Sequence, residues 1–533
     1  MSNNRVTTRA PQAPPAGTIT EARVLTDAED IDPWLHDAAH YPGGHTTEVC
    51  LPRSESQLAV VLARRLPVLP VGAQSSLTGG ATPRGEIVLS MAHMDGVIEW
   101  NSDSVVVEPG LLLATLEEQL RERDLYYPPA PTFDGASVGG TVATNAAGAA
   151  TFKHGTTRPW VRAISVLLAC GEVLDLERGQ VTADEHGRFE LQLLDGSLVS
   201  FERPALTLPA VPKCSAGYWS EADMDLVDLF IGSEGTLGIV TRVELALQTS
   251  RPTFFAGLIP MADDEAAIGL VAALRDAPRV DIAAVEYMDR RCLELLREDG
   301  ACARAGVALP DNAAAALLFQ AELPPGMTTA EAAEQVAAAG DPAAGAAEQN
   351  SPLLALCRLL ADHGVLDSTL PALPGEQARR DALFALREAV PAAVNERVGR
   401  AAREIDSTIA KSAGDVIVPF ENFARSLERY REILNEHELD HAVWGHISDG
   451  NVHTNVMARS AGEMRRAGEA QLEIGRAAIA LGGSPMSEHG VGRNEIKKRL
   501  LVELYGEQAV ASMRSIKDAL DPAGLLAPGV LFG

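Results

Sequence analysis

Three glycine-rich stretches constrain this chain more than any other feature. The first, Val71-Gly72-Ala73-Gln74-Ser75-Ser76-Leu77-Thr78-Gly79-Gly80, directly follows an apolar run that reads as a strand. The second runs from Phe133 to Gly148, and the third is Gly232-Ser233-Glu234-Gly235-Thr236-Leu237-Gly238. Side chains this small expose backbone N–H groups, and a nest of such groups binds phosphate. One such turn is common, but three before residue 240 imply a large phosphorylated ligand wrapped by backbone. The second stretch lacks bulk, which suits either a flexible loop or backbone packed on a ligand. The lack of a charge run, and of proline after Pro131, favours the ligand. Neither G-x-G-x-x-G nor a Walker lysine motif occurs, so a Rossmann site or a P-loop is not supported.

At 533 residues the chain should hold more than one domain. Its formal net charge of −28 argues against nucleic acid or an anionic membrane as main partner. An anionic substrate would need a local pocket of Arg and Lys. The six cysteines form no Cys-x-x-Cys pair, so no iron–sulfur or Cys-zinc framework is expected. Scattered cysteines fit a reducing cytosol. No run of 18 apolar residues suggests a membrane span. Residues 1–20, rich in Pro, Ala and Thr, read as a disordered tail.

Strands are expected at 66–71, 87–90, 105–108, 228–231 and 239–243, and helices at 56–65 and 113–123. Residues 181–212 read as a surface insertion with a polar strand pair. Residues 254–322 read as β-α-β with a further strand, resembling a ferredoxin-like module. Helical patterns cover 376–401, 462–480 and 496–520, and the Ala-rich 327–350 reads as helix plus loop. Strands and helices intermix, giving an α+β or α/β class.

The second constraint is Gly445-His446-Ile447-Ser448-Asp449-Gly450-Asn451-Val452-His453. Asp-Gly is a strong two-residue hairpin signal. That turn would set His446 directly opposite His453, with Cβ atoms about 4.5–5.5 Å apart on one face. Two imidazoles so placed can hold one metal ion. Downstream, Ser487-Glu488-His489-Gly490-Val491-Gly492 offers a carboxylate and a third imidazole. Together they suggest a divalent metal beside a catalytic base.

The glycine-rich segments, with His154-Gly155-Thr156-Thr157 between them, resemble the FAD-binding domain of the vanillyl-alcohol-oxidase, or PCMH-type, flavoproteins. The carboxyl half resembles the D-lactate dehydrogenase, glycolate oxidase and D-2-hydroxyglutarate dehydrogenase branch, through the hairpin, the Glu488-His489 motif and Asp521-Pro522-Ala523-Gly524-Leu525-Leu526-Ala527-Pro528-Gly529. The resemblance spans about residues 45–532. It implies an α+β fold: a PCMH-type domain over 21–250, a ferredoxin-like cap over 251–486, and a segment 487–533 that completes the active site.

FAD would then be held by Gly72, Ala73, Gln74, Ser75, Ser76, Leu77, Thr78, Gly79 and Gly80, and by Pro131, Gly139, Gly140, Thr141, Asn145 and Gly148. Thr156, Thr157, Glu234, Gly235, Gly238, Ile239 and Asn494 complete its expected surroundings. Some relatives attach flavin through a histidine of the first loop. Residues 72–80 contain none, so non-covalent FAD is expected. The metal ligands by resemblance are His446, His453 and Glu488, which suit zinc first, with manganese or iron as alternatives. His489 would be the general base, Arg387 the substrate-carboxylate arginine, and Lys411 and Asn455 further substrate contacts. Some relatives have a hydroxyl residue four positions after the arginine, where this chain has Pro391.

The expected reaction is oxidation of a D-2-hydroxy acid to the 2-oxo acid with hydride transfer to flavin N5. The electron acceptor would be a cytochrome, a quinone or an electron-transfer flavoprotein. A homodimer is compatible with this reading. The expected location is the cytoplasm, peripheral association with a membrane acceptor included. Rival readings are an ether-forming alkylglycerone-phosphate-synthase-like flavoenzyme and a zinc hydrolase.

Overall fold

Residues 3–12, 21–129, 133–339 and 351–532 are described by the computed structural model. The chain divides into two compact units. The first comprises Met1–Gly148, Gly155–Thr249 and Ser484–Gly533, the second Ala149–His154 and Ser250–Gly483. Both mix helix and sheet, as an α+β class requires.

The first unit contains two contrasting sheets. In the four-stranded one, Val49–Leu51, Ile87–Ser90 and Val68–Val71 run parallel, and Arg23–Leu25 pairs antiparallel at the edge. Ile87–Ser90 is buried at every residue, the mark of a parallel strand covered on both faces. In the five-stranded antiparallel sheet, Ile239–Ala246 alternates buried and half-buried residues because only one face meets the core. The helix Glu55–Leu62 starts at Ser54, whose hydroxyl accepts from Gln57 N. Its Leu58 and Leu62 pack with Val68, Leu89 and Leu526. Leu526 arrives from the carboxyl terminus. Val68 N donates to Leu525 O and Ala527 N to Val68 O, each at 2.8 Å.

Several expectations are corrected here. Residues 228–230 of the expected strand 228–231 belong to a helix, Leu226–Phe230, started by the Asp225 carboxylate, which accepts from Val227 N. Every residue of that helix is buried, so no helical period was visible. The second glycine-rich stretch is helical at Val138–Thr144, capped by Ser137, and ends at Asn145 with φ 50°. The 496–520 pattern is two helices, Glu495–Tyr505 and Glu507–Leu520, broken at Gly506 with φ +83°. The expected tail includes a strand: Arg5–Thr7 pairs parallel with Arg188–Gln192, and Arg9 lies 2.7 Å from Glu55. The rest of that tail, at 1–2 and 13–20, lies outside the described residues, as does 340–350 of the Ala-rich stretch.

The second unit is built on one antiparallel sheet. Its order is Leu370–Ala372, Thr253–Met261, Ala315–Leu323, Ile282–Asp289, His441–His446, Asn451–Val456 and Ser412–Ala413. Val416–Ile417 also pairs with Asn451–Val456. Thr253–Met261, the helix Asp264–Asp276 and Ile282–Asp289 form a split β-α-β with Ala315–Leu323 between the strands. Leu270, Leu293, Leu386, Leu427 and Ile474 from five helices join the strands in one apolar core. Every residue of Ile282–Asp289 and Asn451–Val456 is buried. A polar side chain on those strands is therefore cut off from water and needs a protein partner.

Candidate active site

The histidine hairpin has a longer turn than expected. Ile447–Asp449 form one turn of 3-10 helix, and Gly450 closes it at φ +82°. A Cβ on Gly450 would lie 2.2 Å from Val418 O, so this position needs glycine on two counts. Arg275 donates to Ser448 O, and Val285 N donates to Ser448 Oγ at 3.3 Å. The resulting register pairs Trp444 with His453, not His446 with His453. A slip of two residues preserves the face of the sheet, because side chains alternate with period two. His446 and His453 thus remain diagonal neighbours. Their ring centroids are 5.6 Å apart and the rings are nearly perpendicular, at 88°.

A flanking strand and the link between Ser412–Ala413 and Val416–Ile417 supply two carboxylates to this pair. Glu286 sits opposite His446 in the ladder, and its Oε1 lies 2.5 Å from His446 Nδ1. Glu286 Oε2 accepts from Arg387 Nε at 2.8 Å. On the other side Asp415 Oδ1 is 3.7 Å from His453 Nδ1. Glu286, His446, His453 and Asp415 thus follow one another across the sheet, each at most 8% exposed. Burial alone would raise the Glu286 carboxyl, but the Arg387 guanidinium and the hydrogen bonds with Arg387 and His446 outweigh it and hold the group well below the usual carboxylate range. Asn455, on the strand of His453, donates to His453 O at 3.2 Å. Its buried Oδ1 has no hydrogen-bond partner among the described residues. Lys411 adjoins the strand Ser412–Ala413, and desolvation lowers its ammonium pKa.

Arg387 lies on the helix Gln377–Glu404, one turn before Pro391. Proline has no N–H for the Arg387 carbonyl, so the helix loses a bond at this turn.

In the first unit, the Glu488–Gly492 loop is held from several sides. Glu488 Oε2 accepts from the buried Lys213 Nζ at 2.9 Å, and Glu488 Oε1 lies 3.4 Å from His489 Nε2. Gly490 N donates to Ser215 Oγ at 3.0 Å, and Lys497 Nζ donates to Gly490 O at 3.0 Å. Val491 N and Gly492 N donate to the two oxygens of Glu234 at 2.9 and 2.8 Å. Glu234, expected as a flavin contact, therefore directs its carboxylate at this loop. Thr78 Oγ1 donates to His489 O at 3.4 Å. The loop bearing the expected base is thus tied to the first and third glycine-rich stretches and to residues 213–215.

The glycine stretches fit a phosphorylated cofactor. Gly72 to Leu77 are half-buried, and no described residue accepts from the N–H groups of Ala73 to Leu77. A Cβ on Gly72 would stand 2.3 Å from Ser137 Oγ, and one on Gly139 2.5 Å from Pro109 Cβ. The first loop therefore abuts the N-terminus of the Val138–Thr144 helix, where N–H groups and dipole favour an anion. Ser76 Oγ accepts from Thr78 N and Gly80 N, and Asp37 accepts from Gly79 N at 2.7 Å.

Several expected cofactor contacts have other duties. Gln74 Nε2 donates to Pro33 O and His36 O. Asn145 Oδ1 accepts from Arg158 N, and Asn494 Oδ1 caps the helix Glu495–Tyr505. Thr141 Oγ1 donates to Val138 O and Thr157 Oγ1 to Ala146 O. Gly238 is small because a Cβ would meet Val166 at 2.3 Å. Thr156 and Ile239 are buried, and Gly235 has φ +71°. Pro131 lies outside the described residues.

Glu286, Asp415 as a histidine partner, and Lys213 were missed from the sequence. A signal existed for Glu286: one carboxylate inside the apolar run Ile282-Ala283-Ala284-Val285-Glu286-Tyr287-Met288. A charge within a strand that reads as fully buried implies a paired role.

The chain matches two protein families. FAD linked oxidases, C-terminal domain, covers residues 255–531, and an FAD binding domain covers residues 47–177. It is 28% identical over 494 residues to the glycolate oxidase subunit GlcD of Bacillus subtilis, spanning 91% of this chain and 88% of that one. It is 28% identical over 524 residues to a D-2-hydroxyglutarate dehydrogenase of Xanthomonas citri, spanning 96% and 94%. It is 26% identical over 526 residues to a D-lactate dehydrogenase of Anaerostipes hadrus, spanning 96% and 95%. Among solved structures, an alkyldihydroxyacetonephosphate synthase superposes with a TM-score of 0.59 at 12% identity, over 95% of this chain and 82% of that one, a likeness of fold alone. No helix among the described residues is long and apolar enough to cross a membrane.

Proposed function

Because the chain belongs to the FAD-linked oxidases, we propose that it oxidises a D-2-hydroxy acid of the lactate, glycolate or 2-hydroxyglutarate class to the 2-oxo acid. The observation that carries this reading is the buried row of Glu286, His446, His453 and Asp415 on the second unit's sheet. Two imidazoles and their carboxylates amid an apolar core serve no packing purpose, and a polar active site accounts for them.

FAD, when bound at the glycine stretches, supplies the hydride acceptor at N5. A divalent ion, zinc first, would be held by His446 and His453, with Glu488 assigned by resemblance, and would supply Lewis acidity at the substrate hydroxyl. The protein's own groups bind, orient and take the proton. A guanidinium carries five N–H donors. Glu286 takes Nε of Arg387 and Glu388 Oε1 lies 3.4 Å from its Nη1, and the substrate carboxylate would pair with Nη donors of the same guanidinium. Lys411, with its ammonium pKa lowered by desolvation, is a second cationic contact. Asn455 meets the substrate through its buried amide. His489 takes the hydroxyl proton on an imidazole nitrogen. The reduced protein passes its electrons to a cytochrome, a quinone or an electron-transfer flavoprotein.

The test is anaerobic bleaching of bound flavin by a panel of D- and L-2-hydroxy acids, with and without a chelator. Bleaching by one or more D acids that the chelator suppresses is the expected result. Flavin that no member of the panel reduces would refute the substrate class.

A further inference from the structure

We propose that Glu286 is a positioning residue that sets His446 for metal binding and Arg387 for substrate binding through one carboxylate. This rests on the metal reading given above.

The geometry divides the carboxylate cleanly. Oε1 faces His446 Nδ1 at 2.5 Å, and Oε2 accepts from Arg387 Nε at 2.8 Å. Glu286 and His446 are ladder partners on adjacent antiparallel strands, so backbone pairing as well as side-chain contact fixes their relation. The turn that follows His446 is fastened beside it, because Val285 N donates to Ser448 Oγ. Arg387 comes from a different element, the helix Gln377–Glu404. The one carboxylate thus joins histidine and arginine.

Chemistry gives this bridge a direction. A carboxylate at Nδ1 holds the proton on that nitrogen, which leaves Nε2 as the lone pair for an ion. Such carboxylate–histidine pairs fix ring orientation and raise ligand basicity, and their loss typically lowers metal affinity by about 10–100-fold. The same carboxylate neutralises and aims the Arg387 guanidinium, which is 5% exposed. A buried carboxylate is costly without full pairing, and here both oxygens are paired.

The simpler alternative is that Glu286 only compensates a buried arginine. Two variants of the FAD-loaded full chain separate these readings, with zinc affinity measured by competition with a chromophoric chelator and stability measured by thermal melting. Glu286→Gln should lose about 10–100-fold in zinc affinity and melt lower, because Arg387 loses its buried carboxylate partner and keeps Glu388 at 3.4 Å. The double variant Glu286→Gln with Arg387→Met removes both charges. It should recover most of the melting temperature but not the zinc affinity. Wild-type zinc affinity in either variant would overturn the positioning role. Wild-type protein that takes up no zinc would instead remove the metal reading itself, and the proposal with it.

Discussion

Gly72 offers a quantitative test of how the first glycine loop meets the second. Gly72 does not have a positive φ, so alanine meets no backbone strain there, only steric contact. The added Cβ would lie 2.3 Å from Ser137 Oγ, whereas ordinary contact begins at 3.4 Å. The loop and the Val138–Thr144 helix would have to part by about 1 Å, an overpacking cost of about 1–3 kcal/mol. Ser137→Ala alone removes the helix cap, which accepts from Gly140 N, at about 1 kcal/mol. If the sites were independent, the double variant would cost about 2–4 kcal/mol. With the hydroxyl gone, however, the nearest remaining atoms to the new methyl are Gly140 Cα and Ser137 Cβ, both at 3.6 Å. The double variant should then cost only about 1 kcal/mol, the cap alone. Urea unfolding of the apoprotein measures the cycle, and fluorescence titration measures FAD binding. Gly72→Ala should weaken FAD at least about tenfold, or 1.4 kcal/mol, and Ser137→Ala should restore most of it. Additive costs in the double variant, or unchanged FAD binding in Gly72→Ala, would refute the close approach as the reason for glycine.

Three other outcomes are expected. Desolvation pushes the Glu234 carboxyl up to about 7 against the pull of the Val491 and Gly492 N–H groups. A raised carboxyl contributes stability that is present below the ordinary carboxylate range and lost as pH rises through about 7. The unfolding free energy of the apoprotein in urea should therefore fall between pH 5 and 8, by up to roughly 3 kcal/mol relative to Glu234→Gln, and parallel pH profiles for the two would contradict it. His489→Ala should slow anaerobic flavin reduction by substrate by about 100-fold or more while FAD stays bound, and an unchanged rate would remove His489 as the base. One residue inserted after Gly450 should turn His453 to the opposite face of its strand. Zinc content and substrate oxidation should both be lost, and retained zinc would show that the hairpin register does not set the site.

The glycine stretches, the hairpin and the Glu488-His489 motif were legible because each is local. Glycine at a close approach and a Ser cap leave a mark on neighbouring residues, as at Gly72 and Ser54. Failures came where burial is uniform. Leu226–Phe230 read as a strand because a fully buried five-residue helix shows no period. The stretch 133–148 read as backbone packed on a ligand, and its helix Val138–Thr144 went unread because its stability comes from a cap and from packing against Pro109 and Ser137, not from propensity. The two-residue slip of the hairpin was also invisible, since Asp449-Gly450 suits more than one turn length.

The sequence alone put forward His446, His453, Glu488 and His489 as candidates and set His446 and His453 on one face, a placement that survives the register slip because strands alternate with period two. Only the tertiary structure decided their partners. Glu286 lies 160 residues from His446 in sequence and 101 from Arg387. Strand pairing and helix packing brought the three together inside an apolar core. There a carboxylate cannot stay charged without partners, and no local pattern could have named them.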